Sequence, residues 1–262
     1  MLQGEDRFAL VGSARDVPRA KAAGRLAIAF DLEGTEPLDG SLDMIQTYYD
    51  LGVRTMLIAY NEPNRAGGGC HGDPGTGLTT FGKAVVREMN RAGMLVDATH
   101  CSRKTTFDLV ESSTAPVIFS HSVPAGIKKH PRNIDDEQML ACAQTGGVIG
   151  INGVGIFLGD NDASTKSIVR AIDYAVQLVG PEHVGLGLDY VFDRAELSAF
   201  IDANATTFPS GYGYKESGPV QFASPAQLPE VTSALMGLGY SSAAIEGILG
   251  GNFFRVASHV WH

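Results

Sequence analysis

Short apolar runs alternate along the chain with segments that have a helical pattern of apolar and polar residues. The short runs, rich in Val, Ile, Leu and Ala, predict strands, and the longer patterned segments predict helices. The predicted strands are Leu26 to Leu32, Thr55 to Tyr60, Met94 to Ala98, Pro116 to Ser120, Val148 to Asn152 and Val184 to Leu188. The predicted helices are Ala14 to Ala23, Ser41 to Leu51, Phe81 to Ala92, Lys104 to Glu111, Asp135 to Gln144, Thr165 to Val179, Pro225 to Gly237 and Ser242 to Leu249.

This alternation predicts an α/β fold in which helices connect the strands of a parallel sheet. A (β/α)8 barrel of the TIM type needs two strands more than the pattern supplies. There is room for one of these strands between Val191 and Gln221, where the pattern is weak. The other has no place, because no strand-like run precedes the predicted helix Ala14 to Ala23. We therefore expect a TIM-like barrel that lacks its first strand. No linker or low-complexity stretch interrupts residues 1–262, so we expect a single domain.

Composition and charge narrow the classes of partner. Apolar residues make up 44% of the chain, which suits a globular core, and the formal net charge is −9. An acidic protein of this kind is a poor match for nucleic acid or an anionic membrane surface. The sequence contains no run of about 18 apolar residues, so we expect no membrane span.

The cysteines and the N-terminus bear on the cellular compartment. Cys70, Cys101 and Cys142 form no Cys-x-x-Cys pair, and three sparse cysteines favour a reducing compartment, so we expect a cytoplasmic protein. The first residues, Met1 to Asp6, contain no basic stretch followed by an apolar one and do not form a signal peptide as they stand. The question of a signal peptide upstream of Met1 is left open.

Four residues suited to metal binding or proton transfer follow predicted strands. Glu33 follows the Leu26 strand, His100 the Met94 strand, His121 the Pro116 strand and Asp189 the Val184 strand. The carboxyl ends of parallel barrel strands open on one face, and active sites lie there. We therefore expect these four side chains to converge.

Their residue types suit a catalytic zinc site. Glu33, His100 and His121 offer the carboxylate oxygen and imidazole nitrogens that zinc accepts, with one position left for water. Zinc lowers the pKa of bound water to about 7, and Asp189 would serve as general base beside it. Asn152, which ends the Val148 strand, is expected to line the pocket. A histidine at a strand end is more often an ordinary hydrogen-bonding residue, so the spacing leaves both interpretations open.

Two further residues are weaker candidates. His71 lies in a Gly-rich loop, where a solvated side chain is the simpler interpretation and a substrate contact is the alternative. Asp193, four residues after Asp189, is a second acid/base candidate.

Several long motifs resemble one enzyme family, the membrane (renal) dipeptidases, peptidase family M19. The central motif runs from Leu78 to Ser102 and includes RAGMLVDATHCS. The others are Pro116 to Ser122, Pro131 to Asn133, Gly185 to Tyr190, and Gly250 to Asn252 with Arg255 and Val256. Their order and their spread from about Ala14 to Val256 make the resemblance specific.

The resemblance implies a (β/α)8 dipeptidase with two zinc ions that tolerates a D-residue at the C-terminal position of the dipeptide. In the family, the residue matching Glu33 bridges the metals, and those matching His100 and His121 hold the second metal. The arginine matching Arg132 binds the carboxylate of the substrate, and the aspartate matching Asp189 assists proton transfer. Tyr60 stands where mammalian members have an active-site histidine. Family members form dimers, so a homodimer is expected.

One departure from the family pattern concerns the metal. The family begins with a His-x-Asp motif on its first strand, and this sequence has no histidine before His71. Three hypotheses follow: a piece of a longer protein, a shortened form with one zinc, or a non-catalytic relative. An amidohydrolase that acts on a lactam or another small amide is a further alternative.

Overall fold

The computed structural model describes residues 7–261. The segment Met1 to Asp6, on which the signal-peptide prediction depends, lies outside the described residues.

Parallel strands form the centre of the fold. Strands β3 to β8 make one six-stranded sheet in sequential order, and every neighbouring pair is parallel. The predicted α/β fold with a parallel sheet is thus confirmed, and this order is that of a β/α barrel. The strands are β1 (Phe8–Leu10), β2 (Leu26–Ile28), β3 (Phe30–Leu32), β4 (Val53–Leu57), β5 (Leu95–Asp97), β6 (Val117–Ser122), β7 (Ile149–Asn152) and β8 (Val184–Gly187).

Helices connect successive strands. Their bounds are α1 (Asp16–Ala22), α2 (Asp43–Asp50), α3 (Thr80–Ala92), α4 (Arg103–Ser112), α5 (Asp136–Gln144), α6 (Gly155–Leu158), α7 (Thr165–Val179), α8 (Arg194–Ala203), α9 (Leu228–Gly237), α10 (Ser242–Glu246) and α11 (Asn252–Val260). Short 3-10 turns lie at Glu36–Leu38, Pro181–His183 and Pro225–Gln227, and a π-helical turn at Gly247–Gly251 joins α10 to α11.

Helix α3 shows how local sequence sets these bounds. The Thr79 side chain accepts a hydrogen bond from the Gly82 amide and caps the first turn. Gly93 ends the helix in the left-handed region, with φ 78°, where a residue without a Cβ atom is favoured. Between the caps, Val85 and Met89 lie one turn apart and are buried against the sheet.

The structure differs from the sequence prediction at the N-terminal end. A short strand, β1, precedes the first helix and pairs in parallel with β2 in a separate two-stranded sheet. The sequence prediction contained no strand there, because three residues are too short a run to stand out. The predicted strand Leu26 to Leu32 is divided at Ala29, since β2 pairs with β1 while β3 pairs with β4.

The weak segment from Val191 to Gln221 contains helix α8 and a long loop rather than a strand of the sheet. Its end is joined to the rest of the fold by one antiparallel bridge between Val154 and Phe222. The possible extra strand in this segment is therefore not found.

The carboxyl ends of β3 to β8 lie at one edge of the sheet. The residues at or just after these ends are Glu33, Tyr60, His100, His121, Asn152 and Asp189. Across residues 7–261, every helix is too short or too polar to cross a membrane.

Candidate active site

Three side chains with metal-binding atoms meet at this edge. Glu33, His100 and His121 each offer one ligand atom, and these atoms lie within 4.8 Å of one another. The Nε2 atoms of the two histidines are 3.2 Å apart, and His121 Nε2 lies 3.2 Å from Glu33 Oε1. The structure thus brings together the three side chains that the strand-end pattern suggests as zinc ligands.

The spacing of these atoms fits a zinc ion. Zn–N bonds of about 2.0–2.1 Å in a tetrahedral site place two ligand nitrogens about 3.3 Å apart. The observed separation of 3.2 Å between His100 Nε2 and His121 Nε2 agrees with that value. The Glu33 side chain is 41% exposed, so water reaches the cluster.

Hydrogen bonds orient both imidazole rings. His100 Nδ1 lies 2.7 Å from Asn61 Oδ1, and the Asn61 amide nitrogen donates to Thr207 O at 2.9 Å. Because Asn61 Oδ1 is an acceptor, the His100 proton belongs on Nδ1, and Nε2 keeps its lone pair for a metal. His121 Nδ1 lies 2.8 Å from the Ser120 hydroxyl, which orients the second ring.

The backbone at two site residues is strained. His100 and Asp189 have φ values of 65° and 54°, in the left-handed region that most residues with a Cβ atom avoid. Such strain persists only where the surroundings hold it, and it is concentrated at functional sites. Here it turns both side chains at the point where β5 and β8 pass into loops.

Burial and neighbouring charges set the protonation of the cluster. Burial lowers the pKa of His100, and the positive charge of Arg132 adds to this effect, so the ring is neutral. Burial opposes the charged form of His121, but Asp189 and Glu33 outweigh it and raise the pKa of this ring. Partial loss of hydration works against ionised Glu33, whose side chain is 41% exposed, yet its hydrogen bond with His121 lowers the pKa below the usual range.

Asp189 is held beside the cluster by Asn152. The fully buried Asn152 donates from Nδ2 to Asp189 Oδ2 at 3.0 Å. Its Oδ1 accepts from the Val154 amide at 2.6 Å, so the orientation of the Asn152 amide group is fixed. The bond from Asn152 engages only one of the two Asp189 oxygens. Asp189 lines a cavity together with His100 and Tyr60.

Tyr60 packs flat on one of the proposed ligands. Its ring stacks on His100 with centroids 4.0 Å apart and an interplanar angle of 25°. Burial raises the pKa of Tyr60 strongly, and the negative charges of Glu33 and Asp189 raise it further. The hydroxyl therefore stays protonated and can donate a hydrogen bond.

Arg132 carries a buried positive charge near the cluster. It is 2% exposed, and its Nη2 donates to the His121 carbonyl at 2.9 Å. Its buried Nε has no hydrogen-bond partner within the described part of the chain. A buried charged donor without a partner is costly, and a bound anion would satisfy it.

Some residues have roles that the sequence did not indicate. Asn61 and Ser120 orient the histidines, and their position beside strand ends was the only signal. His71 is half-buried rather than solvated: its Nε2 lies 3.0 Å from the Tyr214 hydroxyl. Asp193, considered as an acid/base candidate, caps helix α8 by accepting from two backbone amides.

A parallel β/α sheet with a Glu–His–His cluster at the carboxyl ends of its strands is typical of metal-dependent hydrolases. The sequence profile described as membrane dipeptidase, peptidase family M19, matches residues 1–200. The chain belongs to this family of metallo-dipeptidases, and it is a hydrolase.

Two relatives show how much of the chain is shared. A protein of Klebsiella pneumoniae, described as an uncharacterized protein in the pqqA 5′ region, is 31% identical over 97% of this chain and 90% of its own length. An uncharacterized dipeptidase of Schizosaccharomyces pombe is 36% identical over 64% of this chain. That alignment covers 42% of the yeast protein.

Two solved structures share the fold over 98% of this chain. An amidohydrolase from Pseudomonas aeruginosa is 27% identical, with a TM-score of 0.89 and 80% of its chain covered. A metallopeptidase from Rhodobacter sphaeroides, liganded with a phosphinate mimic of the dipeptide L-Ala-D-Ala, is 22% identical, with a TM-score of 0.79 and 70% coverage. Both likenesses support the TIM-barrel-like fold.

Proposed function

We propose that this chain is a zinc-dependent dipeptidase that also accepts dipeptides with a C-terminal D-residue. The observation that carries the proposal is the cluster of Glu33, His100 and His121, whose ligand atoms lie within 4.8 Å of one another. Membership of the dipeptidase family supports the reaction class. The dipeptide mimic bound by the Rhodobacter sphaeroides metallopeptidase supports the proposed tolerance of D-residues.

Glu33, His100 and His121 would hold the zinc. A zinc ion held there would polarise the peptide carbonyl and lower the pKa of a bound water. Within residues 7–261, this is the one set of three ligand-type side chains close enough to share an ion. We therefore propose one zinc per chain.

Asp189 is the proposed proton carrier. Its carboxylate takes a proton from the attacking water and passes it to the leaving amine. Asn152 holds one carboxylate oxygen at 3.0 Å, and Asp189 lines the same cavity as His100. Asn152 therefore acts as a positioning residue that sets the direction of proton transfer.

Tyr60 and Arg132 are proposed to bind the substrate. The protonated Tyr60 hydroxyl donates to the oxygen on which negative charge develops during attack. The buried Arg132 guanidinium, with its unpartnered Nε, binds the free carboxylate of the dipeptide. Together these contacts select a short substrate that ends in a carboxylate close to the scissile bond.

The deciding experiment measures zinc content and hydrolysis of L-Ala-D-Ala on the same purified sample, for wild type and Asp189→Asn. We expect Asp189→Asn to keep its zinc and to lose activity by roughly 10²–10⁴-fold. Asp193→Asn is the matched control, because Asp193 caps a helix and Asn also caps well. Unchanged turnover in Asp189→Asn would refute the role of Asp189.

A second candidate is an amidohydrolase that acts on a lactam or another small amide. The likeness to the Pseudomonas aeruginosa amidohydrolase favours it as the alternative. A panel of lactams assayed beside the dipeptides separates the two functions. Bound zinc without turnover on any member of the panel would instead indicate a non-catalytic zinc-binding relative.

A further inference from the structure

A small cavity adjoins the proposed catalytic residues. It has a volume of about 100 Å³, and one wall is formed by Tyr60, His100 and Asp189. Most of the other lining residues are apolar, among them Phe157, Leu197, Ile201, Phe208 and Phe222. A group in this cavity therefore lies beside the residues assigned to the reaction.

The apolar wall comes from the segment that the sequence pattern left unassigned. Ile201 on α8 and Phe208 and Phe222 in the following loop are each less than 10% exposed. Asn61, just after β4, donates a hydrogen bond to Thr207 O in this loop. At the far end of the loop, Phe222 forms a β-bridge with Val154, just after β7. These contacts hold the wall beside the site.

The apolar wall disfavours a charged occupant. Among the described residues that line the cavity there is no Lys or Arg, and Asp189 is the sole carboxylate. A charged side chain placed against Ile201 and Phe222 would lose its hydration without gaining a partner. An apolar side chain would lose nothing and would bury its surface.

The volume indicates the size of side chain that fits best. An apolar cavity of about 150 Å³ is large enough to bind benzene, and this one has about 100 Å³. A branched aliphatic group therefore matches the cavity better than an indole ring does.

We propose that this cavity is a side-chain subsite that selects dipeptides carrying Val, Leu or Ile. The inference rests on the proposed dipeptidase function and adds the substrate class. It explains why α8 and its loop, which contribute none of the proposed metal ligands, pack their apolar side chains against the site.

The test compares kcat/KM for two matched series of dipeptides, X-Ala and Ala-X, in which X is Gly, Leu, Trp, Lys or Asp. We expect Leu to exceed Gly by about tenfold or more at one of the two positions, and Trp, Lys and Asp to fall below Leu there. Turnover of all members at similar rates would overturn the subsite and leave the dipeptidase function standing. No turnover of any dipeptide by the zinc-loaded protein would overturn both.

Two substitutions change the cavity in opposite directions. The Phe208 ring packs edge-on against Tyr60 and Tyr214, so Phe208→Ala enlarges the cavity. We expect the ratio of Trp to Leu turnover to rise by about tenfold in this variant. Ile201→Phe fills the cavity and should abolish the advantage of Leu over Gly. Each result is a ratio of two kcat/KM values measured on one sample, so an unfolded fraction of the protein cancels.

Phe192→Ala is the matched control. Phe192 is 91% exposed and lies on the same segment but not in the cavity wall. It should keep the wild-type ratios. Wild-type ratios in both Phe208→Ala and Ile201→Phe would overturn the assignment of the cavity.

Discussion

Asn61 Oδ1 accepts a hydrogen bond from His100 Nδ1 at 2.7 Å, and this contact leaves Nε2 as the His100 nitrogen that faces His121. The same amide group donates to Thr207 O, so it joins the histidine to the loop that forms the apolar wall. Asn61 is 1% exposed, so water does not compete for these bonds. A residue that touches no metal therefore controls the geometry of the site.

Replacing Asn61 should weaken zinc binding. Residues that orient a metal-binding histidine typically contribute 10–100-fold to metal affinity, so we expect a loss of roughly that size in Asn61→Ala. Competition for zinc with a chromophoric chelator measures it. Asn61→Asp keeps an acceptor at the same place and should retain most of the affinity. Equal zinc affinity in Asn61→Ala and wild type would show that the hydrogen bond does not orient the ring.

The sequence was sufficient to predict the residues that meet at the site. Glu33, His100, His121 and Asp189 each follow an apolar run, and parallel strands bring such positions to one edge whatever the details of packing. The parallel sheet of the α/β fold followed from the same alternation. These features depend on periodicity, which a single sequence displays directly.

The features that the sequence did not predict depend on tertiary contacts. The role of Asn61 depends on the distance to His100, 39 residues away, and nothing in the local pattern reveals it. The loop after α8 has no periodic pattern, because Phe208 and Phe222 are buried by contacts with distant segments rather than by a regular element. Strand β1 is three residues long and leaves no recognisable run.

Changing Asn152 should shift the pH profile of activity. Asn152 Nδ2 lies 3.0 Å from Asp189 Oδ2, so Asn152→Asp would place a second carboxylate there. Two carboxylates at this distance repel each other, so the pair should hold a proton up to a higher pH than a single carboxylate would. Because Asp189 must be ionised to accept a proton, the acid limb of the kcat/KM profile should move to higher pH. A profile that falls uniformly without moving would contradict this role.

Arg132 should discriminate between a free and a blocked substrate carboxylate. Wild type is expected to hydrolyse a dipeptide much faster than the corresponding dipeptide amide, because the guanidinium pairs with the carboxylate. In Arg132→Met, kcat/KM for the dipeptide should fall by roughly 10²-fold, consistent with loss of a charge-assisted pair, while the rate for the amide changes less. Arg255→Met, at an exposed position on α11, is the control. The same loss on both substrates would indicate a structural rather than a binding role.

Because the folded protein keeps the His130 ring neutral, its free energy of unfolding should decrease in mild acid. Its Nδ1 accepts from the Arg132 amide at 3.0 Å and its Nε2 lies 2.9 Å from Tyr212 O, a pattern that only the neutral ring satisfies. Burial lowers the pKa of His130 from 6.5 to about 4. As the pH falls from 6.5 towards 4, the unfolded chain therefore takes up a proton that the folded protein excludes, and the free energy of unfolding decreases.

Urea denaturation of the metal-free protein at pH 7 and pH 5 measures this effect. One excluded proton lowers the free energy of unfolding by at most about 1.4 kcal/mol per pH unit, and partial exposure of the His130 ring makes the decrease smaller. His130→Gln should lose less stability between the two pH values than wild type, because Gln does not titrate. His259→Gln, at an exposed position on α11, should keep the wild-type pH dependence. The same decrease in His130→Gln and wild type would mean that this ring accepts the proton in the folded state, and that its bond with the Arg132 amide does not hold it neutral.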